Sequence, residues 1–189
     1  MDFLTHVFLP LTVAYVLYPE LFEQRYLLAL GGFGVLSDLD KFLGIPGALH
    51  SLVTLVPLCI GLIVAERVLR GRTAYSPLVA GFVLSHPLID IIDGGPVPLF
   101  APLIDAGIGL RYPMQVSFGE GPLGIVFEGP LLALATATPR AGFNTYGFIN
   151  AFGVTSVLLF AVLYVGLERR SRHTSEAAEA TSPHHRIER

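Results

Sequence analysis

The sequence predicts an all-α protein: a polytopic membrane helix bundle of about four to six membrane segments, with a polar His/Asp cluster near one membrane face. Of its 189 residues, 52% are hydrophobic and only 14% are charged, and the mean hydropathy is +0.63. Soluble domains carry about 25% charged residues. The apolar residues also form long runs between short polar stretches. We therefore expect a multi-pass protein of the cell membrane, with one membrane domain at residues 1–167.

The charge balance excludes one class of partner. The net charge of −3 at pH 7 is too small to suggest nucleic acid, so the lipid bilayer is the expected partner. Cys59 is the single cysteine, so no disulfide within the chain is possible.

Four apolar runs predict the first four helices, with a loop from Ser37 to His50 between the second and the third. Pro10 should kink the first helix, and Pro57 is a tolerated kink in the third. Gly31, Gly32 and Gly34 near the end of the second helix are small residues that allow close helix packing or a backbone approach to an ion. The four runs are Phe3–Leu17, Tyr26–Leu36, Leu52–Ala65 and Pro77–Ile92.

The second half is less regular. Asp93–Gly121 is a long connection rich in Gly and Pro, and its apolar residues predict a lid lying on the membrane surface. Pro122–Thr138 is a fifth apolar segment; its lone Glu128 is either functional or a helix cap before Gly129 and Pro130. Tyr146–Leu167 is an uncharged run long enough to span, and Glu168–Arg189 reads as a disordered charged tail.

Six polar residues in or beside these apolar runs are candidate metal ligands. Asp38 and Asp40 are one residue apart at the mouth of an apolar run, and His50 follows in the same loop. His86 and Asp90 are four residues apart, so they share one helix face. Carboxylates with imidazoles suit a divalent metal. The alternatives are a local His–Asp hydrogen bond on the fourth helix and an interfacial position without a task for His6.

Parity supports a joint site. If the first four segments all cross the membrane, His6, the Ser37–His50 loop and the His86/Asp90 end of the fourth helix lie on the same side. Nothing in the composition requires this agreement, so it favours a shared metal site over separate structural roles.

Two arginine clusters bear on orientation, because basic residues beside the membrane favour the cytoplasm. Arg67, Arg70 and Arg72 would place the predicted site outside. Arg169, Arg170 and Arg172 also predict a cytoplasmic tail. If six segments cross, however, the two clusters lie on opposite faces, unless the Pro122–Thr138 segment dips in and returns.

At these residues the chain resembles the YdjM-like membrane-bound metal-dependent hydrolases, which are distantly like zinc-dependent phospholipase C and P1 nuclease. The likeness covers roughly the first 105 residues. It implies a helical fold, a His/Asp cluster that binds zinc, and a phosphoester substrate. The matching elements are Thr5-His6, Ser37-Asp38-Leu39-Asp40, His50-Ser51, Ser85-His86-x-x-x-Asp90 and the Gly94–Pro102 stretch.

The favoured hypothesis is a membrane-embedded metal-dependent hydrolase that acts on a phosphoester or lipid-like substrate through a metal-activated water. Its metal ligands would be His6, Asp38, Asp40, His50, His86 and Asp90, with Zn²⁺ as the expected ion. Asp93 is the candidate general base. Arg111 is the candidate phosphate-binding residue, with snorkelling to the surface as the alternative.

Two other classes stay open. An ion or metal transport or binding protein without hydrolytic activity could use the same polar cluster along an ion path. A structural membrane protein could simply pair these residues with one another.

Overall fold

The computed structural model of the protein describes residues 2–45, 47–92, 95–110, 114–117, 124–127, 130–136 and 149–181. These residues confirm the predicted mostly helical fold and add two small pairs of strands. The helices are α1 (Phe3–Leu17), α2 (Leu39–Phe42), α3 (Leu52–Arg70), α4 (Ser76–Ile92) and α5 (Ala151–Thr181), with 3-10 helices at Pro19–Phe22 and Arg25–Asp38. The strands are β1 (Ala106–Leu110), β2 (Met114–Ser117), β3 (Gly124–Phe127) and β4 (Leu132–Thr136).

Two helices are long and apolar enough to cross a membrane, Leu52–Arg70 and the Ala151–Arg170 part of α5, while α1 and α4 are shorter apolar helices. Side-chain caps explain where α1 and α3 start. Asp2 accepts a hydrogen bond from the Thr5 amide, and Ser51 accepts one from the Val53 amide. The α3 helix ends at Arg70 and is capped by Gly71, whose φ of 70° is a left-handed conformation that suits glycine.

The second predicted segment is a 3-10 helix rather than an α-helix. It runs from Arg25 to Asp38, so at roughly 2.0 Å per residue its 14 residues extend about 28 Å. An α-helix of that length would extend only about 21 Å. The tighter winding therefore extends this segment further than an α-helix with the same number of residues.

The predicted fifth segment differs most from the structure, because its described residues form strands. Large and small residues alternate in β4, which pairs antiparallel with β1 and sets Leu134 opposite Ile108. This alternation puts Ala133 on the buried side and leaves Leu132 and Leu134 exposed. The other pair, β2 with β3, is also antiparallel. Glu128 lies outside the described residues.

Two apolar clusters hold the helices together. Leu55 and Cys59 of α3 pack against Val79 and Val83 of α4. The second cluster joins α1, α4 and α5 through Leu11, Tyr15 and Phe82, with Phe160 and Tyr164 of α5 packed against it. The α1 helix thus lies between α5 and the elements that carry the predicted site.

The α5 helix runs parallel to α1. At its start, the position of a β-carbon on Gly153 would lie 2.1 Å from the Asp2 carboxylate oxygen Oδ1. At its other end, the Arg25 guanidinium lies 3.6 Å from the Glu168 carboxylate. The helix continues to Thr181, into the stretch from Glu168 that the sequence analysis predicted to be a disordered tail.

This packing brings the two arginine clusters to one face of the bundle. The α3 helix starts beside His50 and ends at Arg70, on the face opposite to the predicted site. Since α5 runs parallel to α1, Arg169, Arg170 and Arg172 lie on that same opposite face. The conflict in the sequence-based orientation disappears, because the described residues of 122–138 are strands and supply no spanning helix.

We expect the predicted site to face away from the cytoplasm, because basic residues collect on the cytoplasmic side. The test uses a Cys59→Ser background with one new cysteine at Asp105 or Thr73, which are exposed on the site face and the arginine face, respectively. A membrane-impermeant maleimide should label Asp105→Cys in intact cells, and Thr73→Cys only after permeabilisation. The reverse pattern would put the site in the cytoplasm.

Candidate metal centre

Five separate elements bring the six predicted residues together at one end of the bundle. We call this group the His/Asp cluster. All six side chains are buried. His6 comes from the first turn of α1, Asp38 from the end of the long 3-10 helix, and Asp40 from α2; His50 precedes α3, and His86 and Asp90 come from the last turns of α4.

Each of the three imidazoles is held by its Nδ1 atom. The Nδ1–H of His6 donates to the carbonyl of Asp2 at 2.8 Å, and that of His86 donates to the carbonyl of Gly34 at 2.6 Å. His50 Nδ1–H donates to Asp40 Oδ2 at 2.9 Å. When these rings are neutral, the Nε2 atoms of His50 and His86 are free to offer a lone pair, whereas His6 Nε2 lies within hydrogen-bond distance of Asp90 Oδ1, at 2.9 Å. This arrangement is typical of metal-binding histidines, whose outer hydrogen bond fixes the tautomer and the ring orientation.

The Nε2 atoms of His50 and His86 face carboxylate oxygens rather than donors. His50 Nε2 is 3.6 Å from Asp38 Oδ1 and 3.5 Å from Asp90 Oδ2. His86 Nε2 is 3.5 Å from each of the same two oxygens. These separations are too long for good hydrogen bonds.

The same separations match those between neighbouring ligands of one metal ion. Zinc binds imidazole nitrogen and carboxylate oxygen at about 2.0–2.2 Å, which puts neighbouring ligand atoms about 3.3–3.6 Å apart in a tetrahedron. The four nitrogen–oxygen distances among His50, His86, Asp38 and Asp90 are 3.5–3.6 Å. Asp38, His50 and His86 could therefore hold a metal ion between them, with Asp90 facing the same two histidines.

Unpartnered buried atoms point to the same place. Within the described residues, His50 Nε2, His86 Nε2 and Asp90 Oδ2 are buried without a hydrogen-bond partner, as are Ser37 Oγ and Asp40 Oδ1. Buried polar atoms without partners are costly, so a concentration of them in one cluster calls for a ligand. With neutral imidazoles, the three carboxylates of the cluster and Lys41 sum to −2, which one divalent cation would balance.

His6 extends the cluster on the other side of Asp90. Its Nε2 lies 2.9 Å from Asp90 Oδ1, and its ring lies against that of His86, with the centroids 4.1 Å apart. His6, His86 and Asp90 form one group with metal-ligand spacing, and Asp38, His50 and His86 form a second. Asp90 thus meets His6 through one oxygen and the remaining two histidines through the other.

Asp40 is the one predicted ligand outside both groups. Its Oδ2 accepts hydrogen bonds from His50 Nδ1 and, at 3.1 Å, from the Leu49 amide. It therefore lies behind His50 and orients that ring. Burial lowers the pKa of His50, but its interactions with Asp38 and Asp40 and the nearby carboxylate charges outweigh burial and raise this pKa to about 9.

Four contributors to the cluster lie outside the predicted ligand set; sequence reasoning assigned no role to Lys41 and Asp2, whereas it had marked Gly34 for a close approach and Ser51 as the neighbour of His50. Lys41 Nζ lies 2.5 Å from Asp38 Oδ1, and Asp2 and Gly34 contribute backbone carbonyls. Ser51 donates to the carbonyls of Leu99 and Ala101, which fastens the connection after α4 beside His50. The Asp2–Thr5 helix start was a usable signal in the sequence, whereas a backbone carbonyl leaves none.

Two candidates, Asp93 and Arg111, lie outside the described residues. Their roles as base and phosphate ligand stay predictions. The neighbouring part of the predicted lid is described, and its apolar residues Phe100, Leu103 and Ile104 are exposed.

Comparison with known proteins gives one match. A family model described as YdjM inner membrane protein matches residues 1–173, which include every member of the His/Asp cluster. Comparisons with curated proteins and with solved structures give no match.

Proposed function

The chain belongs to the YdjM inner membrane protein family, and from this premise we propose that it is a membrane-embedded metal-dependent hydrolase whose metal is held by the His/Asp cluster. The observation that carries the proposal is the set of unpartnered nitrogen and oxygen atoms with ligand spacing. Asp38, His50, His86 and Asp90 would bind the ion. His6 would hold the second oxygen of Asp90 or bind a second ion beside it.

Zinc is the ion we propose, because it binds imidazole nitrogen and carboxylate oxygen and can take a water as a further ligand. When bound, such an ion acts as a Lewis acid and lowers the pKa of a coordinated water to about 7. The substrate class implied by the resemblance is a phosphoester. Hydrolysis adds water across the ester, so that a P–O bond to water forms and the P–O bond to the alcohol breaks.

The protein's own residues would prepare the site before the reaction. The carbonyls of Asp2 and Gly34 and the Asp40 carboxylate hold three imidazoles in one tautomer, so the ligand atoms need no rearrangement. Lys41 is partly exposed beside Asp38 and is the described cation nearest to an incoming phosphate. The 95–110 connection, fastened to Ser51, is proposed to be the lid over the site.

The test is metal analysis of the purified protein combined with hydrolysis of bis-p-nitrophenyl phosphate, a soluble phosphodiester. We expect stoichiometric zinc, loss of activity and of melting temperature on chelation, and recovery of both with added zinc. Protein that is folded, free of metal and indifferent to chelator would contradict the metal centre. Metal binding without hydrolysis of any phosphoester or carboxylic ester would favour transport or storage instead.

A further inference from the structure

A second feature of the bundle is an apolar groove between α1 and α4, which we call the α1/α4 groove. Its volume is about 690 Å³, within the range of ligand pockets. Side chains of both helices form its walls, and residues 73–75 form its far end. Representative lining residues are Leu9, Val13, Leu17, Leu78, Leu88 and Ile89.

One end of the groove lies near the His/Asp cluster, although no member of the cluster lines the groove. Pro10 lines the groove and lies four residues beyond His6, so it shares the His6 face of α1, about one turn away. On α4, Ile89 also lines the groove; it directly precedes Asp90 but does not share its helix face. A molecule lying in the groove would therefore have one end about one helical turn from His6.

The dimensions match those of one lipid leaflet. The lining residues extend from Leu9 to Tyr18 on α1 and from Pro77 to Ile89 on α4, which corresponds to about 14–18 Å of helix. Half of a hydrocarbon core of about 30 Å is about 15 Å. The groove thus runs from the level of the cluster towards the opposite face for about the length of one acyl layer.

A glycine in the wall leaves room that no described side chain uses. Gly81 is in the middle of α4 and lines the groove, and a β-carbon at this position would meet no atom of the described residues within 4 Å. Glycine in a helix interior costs stability relative to alanine, so packing between described elements gives no reason for it. A chain bound in the groove would occupy this space.

We propose that the α1/α4 groove binds an acyl chain of the substrate, which makes the substrate a lipid phosphoester with its phosphate at the His/Asp cluster. This inference rests on the proposed function for the reaction, but the binding of the chain can be tested separately. The groove is apolar, opens in a membrane protein and ends about one helical turn from His6, a member of one of the metal-ligand groups found among the described residues. A water-soluble substrate would not need it.

The test fills the groove by a series of substitutions at Gly81, to Ala, Val and Leu. Hydrolysis of a dipalmitoyl phospholipid should fall with side-chain size, by roughly tenfold or more for Gly81→Leu, since hydrophobic pockets discriminate by such factors per methylene. Hydrolysis of bis-p-nitrophenyl phosphate and the zinc content should not change. The matched control is Gly61→Leu in α3, where a β-carbon also meets no described atom and no groove wall is involved.

Photolabelling separates failure of the groove from failure of the hydrolase proposal. A phospholipid with a diazirine on its acyl chain should label α1 and α4 saturably in phosphatidylcholine vesicles. The Gly81→Leu substitution should abolish this labelling of α1 and α4. Labelling of the outward face of α3 by the same lipid should persist in this variant. That result would support the groove even if no hydrolysis were found. Non-saturable labelling that is indifferent to Gly81→Leu, or a groove filled by a second copy or by another segment of this chain, would overturn the proposal.

Discussion

Replacing Asp90 by alanine is expected to abolish stoichiometric metal binding and, with it, any hydrolytic activity. Asp90 is the carboxylate that all three histidines of the cluster face: one oxygen is 2.9 Å from His6 Nε2, and the other is 3.5 Å from both His50 and His86. Its removal takes away one of the four proposed ligands and the partner of His6. The melting temperature of the variant should no longer respond to a chelator, whereas that of the wild type should fall.

The informative comparison is Asp40→Asn. Asp40 reaches the metal centre only through His50, so its loss should weaken metal affinity by about 10–100-fold, as for other outer partners of metal-binding histidines, without removing the site. Asp105→Ala, which removes an exposed carboxylate from the neighbouring connection, is the matched control and should bind metal normally. Metal content at saturating zinc gives the number of ions bound, and competition titrations give the zinc affinity. Together these two measurements distinguish Asp90→Ala, Asp40→Asn and Asp105→Ala. Full zinc occupancy in Asp90→Ala would show that the proposed ligand set is wrong.

The sequence could predict which residues meet because their depths are encoded in it. His6 begins one apolar run, Asp90 ends another, and the Ser37–His50 loop joins two more, so counting crossings was enough to place them on one side. Their chemistry was also readable, since buried carboxylates and imidazoles are costly without a partner. What could not be read was the division between ligands and supporting residues. Asp38 and Asp40 look alike in the sequence, and only the turn into α2 places one towards the ion site and the other behind His50.

Two parts of the fold departed from prediction for different reasons. The apolar run with three glycines predicts a helix, but its 3-10 winding, in contact with α1 and α4, is a matter of backbone geometry that residue type does not reveal. The average hydropathy of the segment that contains Leu132–Thr136 predicts an apolar membrane segment. The alternation of leucine and alanine within Leu132–Thr136, however, has the period of a strand. A closer reading of the period would have found the strand, whereas the winding of the 3-10 helix leaves no such signal.

Gly34→Ala is expected to disrupt the metal centre although it adds one methyl group and changes no polar side chain. A β-carbon at Gly34 would lie 2.1 Å from the carbonyl oxygen of His6 and 3.1 Å from its carbonyl carbon, so the 3-10 helix and α1 could not keep their present separation. The carbonyl of Gly34 also accepts the Nδ1–H of His86. One shift of this backbone would therefore displace two of the three imidazoles.

The control is two residues away on the same 3-10 helix. A β-carbon at Gly32 meets no described atom within 4 Å, so Gly32→Ala should change stability by no more than about 1 kcal/mol, and in the favourable direction if the helix tolerates it. Gly34→Ala should cost about 1–3 kcal/mol, as overpacking typically does, and should lower zinc content in addition. Melting temperature and bound zinc, measured on both variants in the same detergent, give the comparison. Suppose instead that Gly34→Ala has the same melting temperature and zinc content as Gly32→Ala. The close approach of the 3-10 helix to His6 then does not position the cluster. The preorganisation argued from the Gly34 and Asp2 carbonyls would lose its main support.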